Sequence, residues 1–174
     1  MRKIMRALAI AEAAHKDQRR KSDASPYIGH PIRICDILAE ARVTDEITLA
    51  AAACHDTIED TTITEAELRE QLCDETVETI KELTDDKTLP KKERKALEIE
   101  HAKELSLRAA QIKIADKLDN CRGLSAHTPE SWSQERLQNY INDARQTVAN
   151  ATAAHADNEQ IQNLSMKFSA EYGA

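Results

Sequence analysis

Aromatic residues are nearly missing from this sequence: one Trp, one Phe and three Tyr make up 3% of 174 residues, and there are only three Gly and four Pro. Alanine and charged residues fill the space, a composition that favours helix over sheet. No apolar run approaches the length needed to span a bilayer. The N-terminus, MRKIMRALAIAEAAHKDQRR, begins like a signal peptide, but Glu12 interrupts its apolar run. The chain therefore reads as cytoplasmic. No C-x-x-C pair occurs. Cys35, Cys54, Cys73 and Cys121 are scattered at or near apolar helical positions, as reduced core-filling thiols, which argues against a zinc ribbon or a disulfide scaffold. A broad basic surface is also absent. The net charge of −7 argues against general nucleic-acid binding, although two local clusters, Lys16 to Lys21 and Lys87 to Lys95, could be solvated helix ends or docking points for a small polyanion. There is no fixed-period repeat and no low-complexity tract.

What is present is a string of helices with loops between them. Ile4, Leu8, Ala11 and His15 form one stripe of an opening helix, expected from about Ile4 to Arg19. KSDASPYIGHP, residues 21–31, is a loop that ends where His30 and Pro31 open the next helix. Thr44 or Asp45 caps the third, and Thr64 with Glu67 has capping-box spacing. Helix resumes at Pro90. Ile112, Ala115 and Leu118 line a later helix, for which Gly123 is the expected stop. Thr128 and Pro129 restart a long helix carrying Trp132, Leu137, Tyr140 and Val148, and Asp157 and Gln160 open the last. No strand is expected. The reading is all-α: one domain over 1–174, a compact orthogonal helical array, with a C-terminal helical extension at about 155–174. Oligomeric state stays open.

The chemistry concentrates in C-H-D-T-I-E-D, residues 54–60, where His55, Asp56, Glu59 and Asp60 recur at helical spacing. Carboxylates crowded beside an imidazole repel one another, and a divalent cation resolves that conflict. Mixed nitrogen and oxygen donors suit Mn²⁺, Fe²⁺ or Zn²⁺. The plainer alternative is an exposed acidic helix end. His30 stands at a helix N-terminus, where it could also be a simple cap. Asp116 lies mid-helix beside an apolar stripe, where it could pair with a lysine. Together His30, His55, Asp56 and Asp116 make an H…HD…D set drawn from three separate helices, with positions left over for water and substrate.

Three blocks, RRKSDASPYIGHP, AAACHDTIEDT and IKIADKLDN, resemble the hallmarks of the RelA/SpoT hydrolase domain of the HD superfamily. TDDKTLPKKERK and TPESWSQERLQNY are similar to the small single-domain hydrolases related to the metazoan SpoT homologue. The match runs from His15 to about Val148. The resemblance implies a Mn²⁺-dependent enzyme that converts the alarmone ppGpp to GDP and pyrophosphate. It implies His30, His55, Asp56 and Asp116 as ligands of one Mn²⁺, and Glu59 and Asp60 as the carboxylates that position and activate water. It implies Arg20 and Lys21 near the nucleotide, Asn120 on the ribose side, and Lys91, Arg136 and Tyr140 facing phosphates. Lys91 and Arg136 are expected to neutralise the pyrophosphate. The implied partner is a small nucleotide, (p)ppGpp, with no nucleic acid and no membrane. Two departures stand out: Cys54 replaces the usual Leu before His-Asp, and the loop after Lys21 lacks the family's frequent glycine. The alternatives are an HD phosphohydrolase acting on another nucleotide, as an NADPH 2′-phosphatase or nucleotidase, and a non-catalytic nucleotide-binding HD module, against which the intact Glu59 and Asp60 speak.

Overall fold

A computed structural model describes residues 1–173 and contains ten helices: α1 Arg2–Ala14, α2 Gly29–Glu40, α3 Glu46–Cys54, α4 Thr57–Asp60, α5 Glu65–Arg69, α6 Asp74–Leu83, α7 Lys91–His101, α8 Leu107–Ala126, α9 Gln134–Ala154 and α10 Glu159–Tyr172. Among the described residues there is no strand, only an isolated bridge between Arg19 and Pro26. No helix there is long and apolar enough to cross a membrane.

The centre of the array is α3. Its sequence, EITLAAAAC, is apolar on nearly every side, and Ala50 to Cys54 are all buried. A helix that is hydrophobic all round belongs inside. Four consecutive alanines carry nothing beyond Cβ, so α1, α2, α6 and α8 can all close on it. Asp45 starts it, accepting from the backbone N–H groups of Ile47 and Thr48. The capping box at Thr64 and Glu67 is also formed. On the far side of α8 lie α9 and α10, the latter burying Ile161, Leu164 and Phe168.

Four boundaries differ from the sequence expectation. The first helix ends at Ala14 rather than Arg19, because His15 is buried and its ring is held by Gln18, which turns the chain toward the site. Gly123 does not stop α8; the helix runs on to Ala126, and a Cβ at 123 would meet Ser22 Oγ at an ordinary 3.5 Å. Trp132 precedes α9 instead of riding on it, since Ser133 caps that helix. The His-Asp pair, expected on one continuous helix, straddles a junction: His55 caps the end of α3 and Asp56 the start of α4. In the loop after Lys21, Ala24 sits at φ 57°, a left-handed conformation that favours glycine.

α7 holds on differently, since none of its residues is fully buried. Polar contacts fix it instead. Glu98 Oε1 accepts from Lys113 at 3.1 Å and Lys117 at 2.5 Å on α8, and Asn150 of α9 donates to the Ile99 carbonyl at 2.7 Å.

Candidate active site

The four ligand candidates converge from three directions. His30 sits in the first turn of α2, His55 and Asp56 at the α3–α4 junction, and Asp116 on α8. His30 Nε2 lies 3.1 Å from Asp116 Oδ1 and 3.8 Å from Asp56 Oδ2. His55 Nε2 lies 2.9 Å from Asp56 Oδ2 and 3.8 Å from Asp116 Oδ1. Both imidazoles are buried, at 1% and 5% exposure.

Hydrogen bonds on the far side of each ring decide what faces the middle. His30 Nδ1 is 2.7 Å from Asp119 Oδ2, and His55 Nδ1 is 2.9 Å from the Ala52 carbonyl. Both partners can only accept, so each Nδ1 carries a proton, which leaves both Nε2 atoms as lone pairs when the rings are neutral. Two lone pairs then face two carboxylates. His55 Nε2 is buried with no hydrogen bond of acceptable geometry, despite lying so close to Asp56. Such a cluster of four electron-rich groups needs a cation among them, either protons or a metal ion. His30, His55 and Asp56 each offer a donor atom within 4.8 Å of the others. The donor set fits a divalent metal. Without one, burial lowers the His55 pKa, but the close carboxylate of Asp56, with the charge of Asp116, outweighs burial and pushes it up to about 9. Burial alone would raise the two carboxylates; the neighbouring imidazoles hold both below the usual range.

Further groups support this centre. The Tyr27 hydroxyl donates to Asp56 Oδ2, and the Tyr27 ring stacks on His15 with centroids 4.6 Å apart. Asn120 Nδ2 donates to Asp116 Oδ1 at 2.6 Å, while its Oδ1 accepts from Arg20 at 2.8 Å.

Glu59 and Asp60 follow on α4 and have different surroundings. Glu59 Oε2 accepts from the backbone N–H of Asp85 at 3.1 Å, and its Oε1 lies 3.8 Å from Arg94 and 3.9 Å from Lys87. Burial, then the charges of Asp85, Asp56 and Asp60, raise its pKa against the pull of that backbone bond. Asp60 is more open, and its carboxylate is engaged by Lys87.

Two cavities meet here. An inner pocket of about 200 Å³ is lined by Asp56, Glu59, Asp60, Asp116 and Lys113, among others. A cleft of about 840 Å³ contains Arg20, Lys21, Lys91, Lys95, Arg136 and Tyr140. Tyr27, Asp60 and Asn120 line both and form the passage between them. Lys91 and Arg136, expected to neutralise the pyrophosphate, lie on the cleft side of that passage. Both belong to the outer cleft, because α7 and the start of α9 border that space. Among the described residues, the one Lys or Arg lining the inner pocket is Lys113. In the cleft, Arg136 packs over the Trp132 ring at 4.2 Å and Lys95 over Tyr140 at 4.9 Å. Burial and the charges of Arg136, Lys95 and Lys21 push the Lys91 pKa down, although Lys95 itself pairs with Asp143 at 3.3 Å.

The residues that sequence reading did not single out are Tyr27, Asp119, Lys113 and Glu98. Asp119 had a visible signal: a carboxylate one position after the buried Leu118, three residues beyond Asp116.

An HD domain family model matches residues 7–151. The guanosine-3′,5′-bis(diphosphate) 3′-pyrophosphohydrolase MESH1 of Xenopus tropicalis is 45% identical over 147 residues, covering 83% of this chain and 82% of that protein. Its Drosophila melanogaster counterpart is 42% identical over 159 residues, covering 90% and 89%. A solved structure described as "A metazoan ortholog of SpoT hydrolyzes ppGpp and plays a role in starvation responses" matches with a TM-score of 0.88 and 39% identity, over 98% of this chain and 96% of that one. The compact orthogonal helical array expected from the sequence is the fold shared with that structure.

Proposed function

The chain belongs to the HD domain family, alongside the MESH1 hydrolases, and from that premise we propose that it is a divalent-metal-dependent hydrolase that removes the 3′-pyrophosphate of ppGpp. One observation carries the reading: two Nε2 lone pairs and two carboxylates converge, and His55, Asp56 and Asp116 of this set line a small pocket that opens into a basic cleft of nucleotide size. His30, His55, Asp56 and Asp116 are the proposed ligands of a single Mn²⁺. Mixed nitrogen and oxygen donors suit Mn²⁺ better than Mg²⁺, which prefers oxygen and water. When bound, the ion supplies Lewis acidity to the phosphoryl group and to the attacking water.

The chain's own residues do the rest. Glu59 accepts a proton from the attacking water; the Asp85 N–H fixes its orientation, and its raised pKa suits a base. Asp60, shared by both cavities and engaged by Lys87, orients the water and the entering phosphate. The new bond joins the water oxygen to the phosphorus attached to ribose O3′. The bond from that phosphorus to O3′ breaks, and O3′ leaves as the hydroxyl of GDP after taking up a proton. Lys91, Arg136 and Tyr140, with Lys21, hold the 5′ phosphates in the outer cleft. Arg20 and Asn120, already paired beside Asp116, lie on the ribose side. The chain acts as one domain, with a C-terminal extension from about residue 155 whose helix α10 packs on α8 and α9. The cysteines are all free, which supports a cytoplasmic setting.

Incubation of the manganese-loaded protein with ppGpp, followed by separation of the products, tests this. Equal amounts of GDP and pyrophosphate are expected. Orthophosphate as the first product, or no turnover of ppGpp, would overturn the reading.

A further inference from the structure

Asp119 touches neither cavity. It is 3% exposed, between α2 and α8. Arg33 binds it through two nitrogens, Nε to Oδ1 at 2.6 Å and the terminal amine to Oδ2 at 3.1 Å. That bidentate pair already joins the two helices. Arg20 lies farther off, 3.7 Å from Oδ2, and the hydrogen bond from His30 Nδ1 to Asp119 Oδ2 at 2.7 Å does something a clamp does not require. It fixes the imidazole proton on Nδ1, leaving Nε2 as a lone pair 3.1 Å from Asp116 Oδ1. A carboxylate behind an imidazole also makes the opposite nitrogen a stronger donor than a neutral partner does. His55 has only the neutral Ala52 carbonyl behind it, at 2.9 Å. The two histidines are therefore unequal donors, and the stronger is the one backed by Asp119.

We propose that Asp119 is a positioning residue for metal capture: it sets the tautomer and the donor strength of His30, and through them the affinity of the site for its divalent ion. This rests on the metal site proposed above. It separates Asp119 from its neighbours on α8, since Asp116 meets the ion and Asn120 lines both cavities, whereas Asp119 touches the proposed ligand set at the ring of His30, its other charged neighbours being Arg33 and, at 3.7 Å, Arg20. It also gives Arg33 a separate task, that of neutralising the buried carboxylate and holding α2 to α8.

The test is Mn²⁺ titration of the full-length protein, stripped with chelator, by calorimetry, with thermal melts of each metal-free variant alongside. Asp119→Ala is expected to weaken Mn²⁺ binding by roughly 10–100-fold, the usual cost of removing a carboxylate behind a histidine ligand. Asp119→Asn keeps the packing and serves if the alanine variant does not fold. It too should lose about tenfold or more, because the amide has no charge and can donate to Nδ1, moving the imidazole proton onto the metal-facing nitrogen. Arg33→Met should lower the melting temperature while leaving Mn²⁺ affinity within about threefold of wild type. Wild-type affinity in both Asp119 variants would overturn the inference alone. So would an Arg33→Met loss of Mn²⁺ affinity equal to that of Asp119→Ala. A wild-type protein that fails to bind Mn²⁺ would overturn the metal site itself.

Discussion

Replacing Glu59 by Gln separates chemistry from metal binding. The side chain keeps its length, and the amide oxygen can still accept the Asp85 N–H that the carboxylate accepts at 3.1 Å. What disappears is the charge facing Arg94 and Lys87 at 3.8 and 3.9 Å. Such partly exposed pairs are each worth about 0–1 kcal/mol. Relief of repulsion with Asp56, Asp60 and Asp85, the charges that help raise the Glu59 pKa, offsets part of that loss. Folding stability should therefore change by no more than about 1 kcal/mol. The rate should fall much further. An amide cannot take the water's proton, and loss of a general base costs roughly 10²–10⁴-fold, or about 3–5 kcal/mol of barrier. Metal content should stay at the wild-type level, because Glu59 is outside the cluster of converging donor atoms. Asp56→Asn should instead lose metal. Nucleotide affinity in Glu59→Gln should be unchanged or tighter, with one less negative charge facing a polyanion. Single-turnover kinetics over a range of ppGpp concentrations, elemental analysis and a urea melt read these four quantities. A Glu59→Gln protein that turns over ppGpp at the wild-type rate refutes the role, and Asp60 takes its place.

Three other perturbations have defined outcomes. Lys91→Met, removing one cation from a cluster that already lowers the Lys91 pKa, should raise KM for ppGpp roughly 10–100-fold, the worth of one charged hydrogen bond, with kcat nearly unchanged. A fall in kcat with KM unchanged would move Lys91 to the reacting phosphate. Burial raises the Glu98 pKa, but the charges of Lys117 and Lys113 win and hold it at about 2, against an ordinary 4.5. A depressed carboxylate stabilises the fold above its unfolded pKa and loses that contribution as pH falls through the folded one. Wild type should thus lose stability between pH 4.5 and about 2 relative to Glu98→Gln, by on the order of 3 kcal/mol, in urea melts at each pH; parallel curves would show that Glu98 is not so held. Ala24→Gly should stabilise the protein by about 0.5 kcal/mol, since Ala24 sits at φ 57° and a Cβ there is strained. A less stable glycine variant would mean that the loop prefers its alanine.

Local features were the most legible in the sequence. Asp45, the Thr64–Glu67 box and the restart at Pro90 were readable because a cap and its partners lie within three or four residues. The proximity of His30, His55, Asp56 and Asp116 was suggested by the carboxylates crowded beside His55, by His30 at a helix start and by Asp116 beside an apolar stripe. Long-range partners were not legible. Asp119 meets residues 86 and 89 positions away, and no periodicity records such a contact. Which cavity Lys91 and Arg136 border was hidden for the same reason, since it depends on how their helices pack. Gly123 misled because glycine marks a helix end only when the chain needs a left-handed turn there, and α8 continues straight through it.

The central claim is attack by water on the phosphorus joined to ribose O3′. Hydrolysis of ppGpp by the metal-loaded protein in ¹⁸O-labelled water, with mass analysis of both products, tests it most directly. The account predicts one labelled oxygen in the pyrophosphate and none in the GDP. Label in the GDP, or label released as orthophosphate, would contradict it.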